Sequence, residues 1–414
     1  MRHFVKYDSY KNRIVFSERI ASGILPEFAG AVRQWSQRNP GGQLKLDFSQ
    51  VVKAFANGML GIIAIVSELR RQGTDIDIIF PSLGSSIDFF AATNWAHLLD
   101  PGRPEDGTVY KKHFVRQFTR FEELPALIDR FMDIVMRHIE MPADILAALE
   151  WSVNEICDNV INHSDSKTGG FLQVIAYPKD HLIAFTVADA GIGILTSLRE
   201  GFPALENEVE AIDEAIKAGI TRNKEYGQGN GLAGTQRITA LTGGSLDILS
   251  GAGRVVITPT KEMRSLSEQS KHFPGTCISG QIRINKEFSV SKALTFGAVP
   301  YDSYTIVDAK YELQQEDALE IKMRDQQSGT GTRAAGMEMR NKVINLLTAK
   351  PDYPLYIDWQ EVSIISSSFA DEFIAKLFLR LGKEKFEQLI SHTHIDPLIS
   401  QLIAKAIAER VAST

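Results

Sequence analysis

Apolar residues recur at alternating three- and four-residue steps through Leu146, Leu149, Val153, Ile156 and Val160. That spacing predicts an amphipathic helix over Pro142 to His163. Glu155, Asn159 and Asn162 fall together on a different flank, because helix positions three and four apart are neighbours. Two carboxamides and a carboxylate beside a buried stripe need polar partners. A solvated flank with a helix-ending Asn-His-Ser is the plain alternative to a ligand. A preceding helix is predicted over Phe121 to Glu140, with Pro142 suited to a first-turn position. Phe171 to Tyr177 and Leu182 to Ala188 are β-rich runs joined by the short turn Pro178 to His181, so they are expected as adjacent antiparallel strands. Residues 194 to 226 hold a charged helical patch, ENEVEAIDEAIKAG, before the polar run TRNKEYGQGNG. A helix from Leu232 to Leu241, a hairpin in SLDILSGAGRVVIT, a polar stretch from Lys261 to His272 and a last strand in PGTCISGQIRI complete this region.

The pattern differs at the two ends. In residues 1 to about 110, Leu44 to Phe48 and Asp75 to Phe80 predict strands on either side of a helix from Gly58 to Arg71. Strand, helix, strand at this spacing implies a small α/β sheet. LDPGRPEDG, Leu99 to Gly107, supplies the first boundary. From about residue 290, strands at Ala318 to Met323 and Tyr353 to Trp359 alternate with helices at Arg333 to Leu347, Phe369 to Leu381 and Pro397 to Val411. The end segments share one pattern, LDFSQV (Leu46 to Val51) against IDWQEV (Ile357 to Val362), each strand followed by a helix. The expected organisation is three domains, 1–110, 115–285 and 290–414, of α/β class.

Length and composition agree with this. A chain of 414 residues implies two or three domains, and 44% hydrophobic with 23% charged residues is ordinary for a globular protein. The net charge of −6 gives no general pull toward nucleic acid or anionic membrane. Two cysteines, Cys157 and Cys277, suggest a reducing compartment, the first residues lack a signal-peptide core, and the longest apolar run, Met59 to Val66, is too short to span a bilayer. A cytoplasmic location is expected.

Three short sequences on separate elements carry candidate chemistry. Glu155 and Asn159 come from a helix, DAGIG (Asp189 to Gly193) from a strand end, and GQGNGLAG (Gly227 to Gly234) from a helix start. Glycines let backbone approach a ligand closely, and a helix N-terminus offers free N–H groups to phosphate oxygens, so Gly227, Gly229 and Gly231 fit a phosphate cradle. The Asn159 amide oxygen is a hard donor suited to Mg²⁺. Glu155, one turn earlier, can position or deprotonate a water or hydroxyl. Asp189, acceptor-only when ionised, can take an exocyclic amino proton of adenine. A Rossmann site would need a strand directly before the glycines, where TRNKEY stands instead, and no P-loop spacing occurs.

In order, VNEICDNVINHS, DAGIG and GQGNGLAG resemble the N box and the two glycine boxes of the GHKL (Bergerat-fold) ATPase family. The closest likeness is to its anti-sigma-factor serine kinase branch, whose form of the N box His163 resembles. GITR (Gly219 to Arg222) is similar to the nucleotide lid, and PGT (Pro274 to Thr276) to the late glycine-threonine box, although a polar insert before Thr276 departs from the shortest family pattern. The resemblance covers roughly residues 115 to 285. It implies a central Bergerat-fold α/β sandwich binding ATP and Mg²⁺, with Asn159 on the metal, Asp189 on adenine and Glu155 as general base. Gly191 and Gly193 would shape the adenine pocket, Gly227, Gly229 and Gly231 would close over the phosphates, and Thr276 would sit near adenine. For His163 itself, a bond to a last helix carbonyl is the expected role.

The end segments resemble STAS-type domains, the fold of anti-sigma-factor antagonists. IDWQEVSIISSSFADEF, Ile357 to Phe373, is similar to the strand, loop and helix start that carry the phosphorylated serine there, which makes Ser367 or Ser368 the candidate phosphoacceptor. Ser368 with Asp371 three residues on is close to a capping box, and a helix cap is the expected role ahead of a phosphosite. The matching KAFANGM, Lys53 to Met59, has no hydroxyl, so a docking role is expected for the N-terminal module. The resemblance implies a partner-switching regulator with a protein partner and serine/threonine-kinase-like or ATPase activity. A dimerising ATP-hydrolysing clamp and a nucleotide-gated scaffold without catalysis stay open. No helix pair carrying an acceptor histidine precedes residue 121, against a histidine kinase, and no basic stripe supports DNA binding.

Overall fold

Alternating apolar residues in VKYD and RIVF build an antiparallel pair, β1 (Val5–Asp8) and β2 (Arg13–Phe16), that opens the chain. In this computed structural model the described residues are 5–81, 90, 92–105, 114–217, 230–295, 305–313, 316–326 and 328–413. The chain forms two compact units. The first comprises residues 1–128, 148–177 and 181–301, and the second 129–147, 178–180 and 302–414. Both mix helices with sheets, as α/β composition requires.

In the first unit, β2 lies parallel to β4 (Leu44–Asp47), and β4 parallel to β6 (Ile76–Ile79). A two-residue pair, β3 (Arg19–Ile20) with β5 (Lys53–Ala54), lies beside them. Helices Leu25–Arg38 and Ala56–Arg71 are the crossovers. The second sheet of this unit has seven strands: β7 (Val115–Phe118), β8 (Gly170–Tyr177), β9 (Leu182–Asp189), β10 (Ser245–Gly251), β11 (Gly253–Ile257), β12 (Glu262–Leu266) and β13 (Phe273–Arg283). Their order is β12-β11-β10-β13-β9-β8-β7, with every neighbouring pair antiparallel. The late strand β13 enters between β10 and β9, at the centre of the sheet. β12 arises from the polar stretch 262–266 that sequence left without an element; all five of its residues are exposed, so no apolar alternation marked it.

Helix Ala56–Arg71 packs on β8, β9 and β13. Phe171, Ala188, Leu249, Phe273 and Cys277 join the core built by residues 5–99, so the N-terminal sheet and one face of the seven-stranded sheet share a single apolar core. Polar contacts fix the register of this seam. Ser22 Oγ donates to Asp247 Oδ2 (2.7 Å), Arg254 binds both, and the Cys277 thiol lies 3.6 Å from the Asn57 carbonyl. Ile278 and Ile282 alternate to the other face, and helix Gly231–Leu241 packs on β10 and β13.

The second unit contains a parallel sheet, β14 (Leu319–Lys322), β15 (Leu355–Asp358) and β16 (Ile390–Thr393), with helices Arg333–Ala349 and Pro397–Ala412. Asp47 to Val66 and Asp358 to Leu377 are stretches of equal length. Buried Asp47 and Asp358 each end a central strand and accept the N–H of the second residue on, Ser49 or Gln360, at 3.0 Å. The following helices start at Ala56 and Ser367, the same distance further on. The shared LDFSQV and IDWQEV pattern therefore marks a repeated strand–loop–helix geometry.

Candidate nucleotide site

The helix that sequence singled out runs from Ala143 to His163. Leu146, Leu149, Val153, Ile156 and Val160 are all buried, which leaves Glu155, Asn159 and Asn162 half-buried on the other flank. At Gly231, the first residue of helix Gly231–Leu241, a β-carbon would lie 2.6 Å from Glu155 Oε2 and 3.5 Å from Asn159 Nδ2. The backbone at the head of that helix thus rests on both polar side chains. A β-carbon there would force the Glu155 carboxylate to shift. One turn on, Gly234 makes room for Trp151, whose Cη2 would lie 2.1 Å from an added β-carbon. Gly227, Gly229 and the lid-like segment Gly219 to Arg222 lie outside the described residues.

The same helix also meets the DAGIG turn. Ser164, the residue after the helix, accepts the Ile192 N–H through its carbonyl at 2.7 Å. A β-carbon on Gly191 would strike that carbonyl at 2.0 Å. Gly193 has φ +74° and sits 3.1 Å, by its added β-carbon, from Ser250 Oγ. Gly275, with φ +91°, lies against the backbone of Asp189 to Gly191. This brings Thr276 beside Asp189, and the Thr276 hydroxyl lies 3.0 Å from Ser250 Oγ.

Asp189 is 2% exposed and accepts the backbone N–H groups of Gly191 (2.8 Å) and Thr276. Burial pushes its carboxyl up to about 7, and the two N–H donors offset only part of this. Glu155 is likewise pushed up to about 7, first by burial and then by the charge of Asp158. A carboxyl near 7 can hand protons both ways at neutral pH. The arrangement fits the group that the sequence resemblance implies. Asp189 keeps acceptor capacity beyond its two backbone donors, and Gly231 leaves backbone open beside the Asn159 carboxamide. No group of three His, Cys, Asp or Glu that could hold a metal exists among the described residues. A Mg²⁺ bound through one carboxamide and a ligand's phosphates needs no such group.

Two serines that sequence reasoning passed over complete the geometry. Ser250 is 1% exposed; its hydroxyl accepts the Ile194 N–H (2.8 Å) and donates to the Gly275 carbonyl (3.2 Å), tying DAGIG to β13. Ser164 Oγ donates to Val160 and accepts the Ser166 N–H. A serine at an inward position of the apolar strand SLDILSG was the available signal.

The C-terminal hydroxyl cluster departs from expectation. Ser366, not Ser368, caps the helix: its Oγ accepts the Phe369 N–H at 3.0 Å and lies 3.0 Å from the Ser368 hydroxyl. The helix starts two residues earlier than the Ser368–Asp371 spacing suggested, and Asp371 binds Arg410 instead. Ser367 is exposed at the first helical position. Ser366→Ala is expected to cost about 1 kcal/mol in a urea melt, with Ser367→Ala near neutral; equal effects would refute the cap assignment.

Among the described residues, no helix is long and apolar enough to cross a membrane. A tRNA(Ile)-lysidine synthase of Symbiobacterium thermophilum is 31% identical over 146 residues, which is 35% of this chain and 28% of that protein. The chain thus spans little more than a quarter of that relative. No solved structure matches. Residues 335–399 match the family model described as a STAS-like domain of unknown function (DUF4325), and they include β15, β16 and the Ser366-capped helix. The C-terminal part of this chain is a STAS-like domain.

Proposed function

We propose that residues 115–285 form an adenine-nucleotide site of the GHKL type, and that the protein is a partner-switching regulator with serine/threonine-kinase-like activity. One observation carries the reading. A single helix brings Glu155 and Asn159 against Gly231, and ends on the turn that holds the buried Asp189 beside Gly275 and Thr276. Asp189 would accept the adenine amino group, and the glycine backbone would approach the ligand where side chains cannot. Asn159 would hold Mg²⁺, which when bound offsets triphosphate charge. Glu155 would take the proton of the attacking hydroxyl as its oxygen bonds to the γ-phosphorus and ADP leaves.

If a protein hydroxyl is the acceptor, Ser367 is the exposed candidate, because Ser366 is engaged as a cap. The N-terminal repeat supports a second STAS-like module whose matching positions, Phe55 to Asn57, carry no hydroxyl. Asn57 and Ser22 of that module are set against the seven-stranded sheet. The tRNA named for the partial relative is not carried over, since the match covers only 28% of that protein.

Incubation with Mg²⁺ and ATP, followed by mass spectrometry and phosphate assay, tests this. Phosphate on protein, with Ser367 and Ser368 as first sites, supports the kinase; free phosphate alone supports the clamp; neither, with binding retained, supports the scaffold. Glu155→Ala is expected to keep nucleotide affinity within about threefold and to lower turnover by about 10²–10⁴. Absence of saturable ATP binding by the wild type would end the proposal.

A further inference from the structure

We propose that the first unit carries a second ligand site, for a small carboxylic acid with a hydrocarbon body. The site is the cavity that helices Leu25–Arg38 and Ala56–Arg71 form with the segment entering β13. It goes beyond the proposed function and does not depend on the identity of the nucleotide.

The sequence of the first helix, LPEFAGAVRQWSQR, divides it into two flanks. Phe28, Ala29, Val32 and Trp35 are buried, whereas Arg33, Ser36 and Gln37 are exposed. Gly30 lets the chain before β13 lie close along this helix. A β-carbon there would be 3.2 Å from Lys271 Cγ and 3.3 Å from the Ser270 carbonyl oxygen. Arg33 Nη1 fastens the same segment by donating to the Gln269 carbonyl at 2.5 Å.

What remains between the two helices and this segment is a cavity of about 290 Å³, at the small end of ligand sites. Its floor is aliphatic: Ala29, Val32 and Ile65 are buried and Leu69 is half-buried. Water on such a floor finds few hydrogen-bond partners, so a hydrocarbon chain displaces it favourably.

The rim supplies charge of one sign. Arg33 lines the opening and keeps guanidinium donors beyond its single backbone bond. Among the described residues, neither Arg33 nor the adjoining Lys271 has an ion-pair partner. His272 also lines the opening, and its Nε2 lies 3.7 Å from Glu208 Oε1, so that acid is matched locally. The surplus positive charge over an aliphatic floor selects an amphipathic anion. A carboxylate suits one guanidinium fork through two parallel bonds. A phosphate dianion presents more acceptors than this rim can meet, and it has no apolar body to fill the floor.

Pro274 closes the cavity on the side of β13. The next residue, Gly275, packs on the backbone of Asp189 to Gly191, and its carbonyl accepts the Ser250 hydroxyl. A ligand seated against Pro274 would therefore hold the start of β13 in place and slow its local opening.

Hexanoate is the probe, with hexanol and hexylamine as its neutral and cationic counterparts. Ligand-observed NMR titrations use the full chain, and hydrogen exchange is followed with and without hexanoate. Saturable hexanoate binding is expected, about tenfold tighter than hexanol, with hexylamine weaker than both. Exchange is expected to slow in residues 273–277 and in helix Leu25–Arg38, and to stay unchanged in 319–325. Arg33→Gln is expected to bring hexanoate affinity down to that of hexanol. Ser36→Trp, at an exposed lining position, is expected to exclude both. Absence of saturable hexanoate binding, equal affinity for hexanoate and hexanol in the wild type, or hexanoate binding that survives Ser36→Trp would each overturn the site. If Arg33→Gln does not fold, Ser36→Trp decides on the same readouts.

Discussion

Asp189→Asn is expected to flatten the stability–pH profile of the protein and, under the proposed function, to weaken the binding of adenine nucleotide. The wild-type carboxyl titrates near 7 in the fold because it is buried, against about 3.9 in an unfolded chain. Below pH 4 both states are protonated and the group costs nothing. Between about 4 and 7 the unfolded chain ionises while the folded one keeps its proton, so stability falls as pH rises. Above 7 the full penalty is present, on the order of 4 kcal/mol for a shift of about three units. Glu155 adds a penalty of the same sign over the same window, smaller because it is less buried. Asparagine has no such titration, and it gives back part of the gain by offering one acceptor where two N–H donors arrive. Chemical denaturation of nucleotide-free protein from pH 5 to pH 8 is the measurement. The wild type is expected to lose several kcal/mol across that range, the variant markedly less, with ATP affinity down at least about 100-fold. Parallel pH profiles for the two proteins would show that Asp189 does not titrate as described.

The second large effect is structural. Gly275→Ala places a β-carbon 2.3 Å from the Asp189 carbonyl oxygen, 2.6 Å from the Gly191 nitrogen and 2.8 Å from the Ala190 α-carbon, on a backbone at φ +91°. All three atoms are main chain, so no rotamer change relieves the overlap. The left-handed conformation alone costs about 1 kcal/mol for alanine; forcing β13 off the DAGIG turn raises the total to about 3–5 kcal/mol. Gly73→Ala is the control. It has a similar φ of +88° and nothing within 4 Å, so it bears the conformational cost without the overlap. Urea midpoints for the two variants are expected to differ clearly. Equal midpoints would mean that β13 and the DAGIG turn are less tightly opposed than the distances say.

The helix flank and the glycine turns were legible because their determinants are local. A carboxamide four residues after a carboxylate needs only helical spacing to share a flank, and glycines at a strand end or helix start announce close backbone approach wherever they fold. Ser250 was not legible. Its role depends on Ile194, Gly275 and Thr276 arriving from two other elements, and a strand pattern records only that it points inward. The cap moved from Ser368 to Ser366 for a related reason: three consecutive serines each satisfy a cap preference, and backbone geometry chooses among them. β12 escaped notice because an exposed edge strand needs no apolar alternation.

Sequence by itself determined the α/β class, the Ala143–His163 helix with its buried stripe, and the glycine turns at which backbone packs closely on neighbouring elements. Tertiary structure alone decided that β13 inserts between β9 and β10, carrying Thr276 to Asp189, and that the N-terminal sheet shares a core with the seven-stranded one. It also decided that Ser250 ties the DAGIG turn to β13. The division has a physical cause. Helix periodicity and turn conformation act over a few residues, whereas strand order and the partners of buried polar groups are set by contacts between segments hundreds of residues apart, whose free energy exists only in the assembled core.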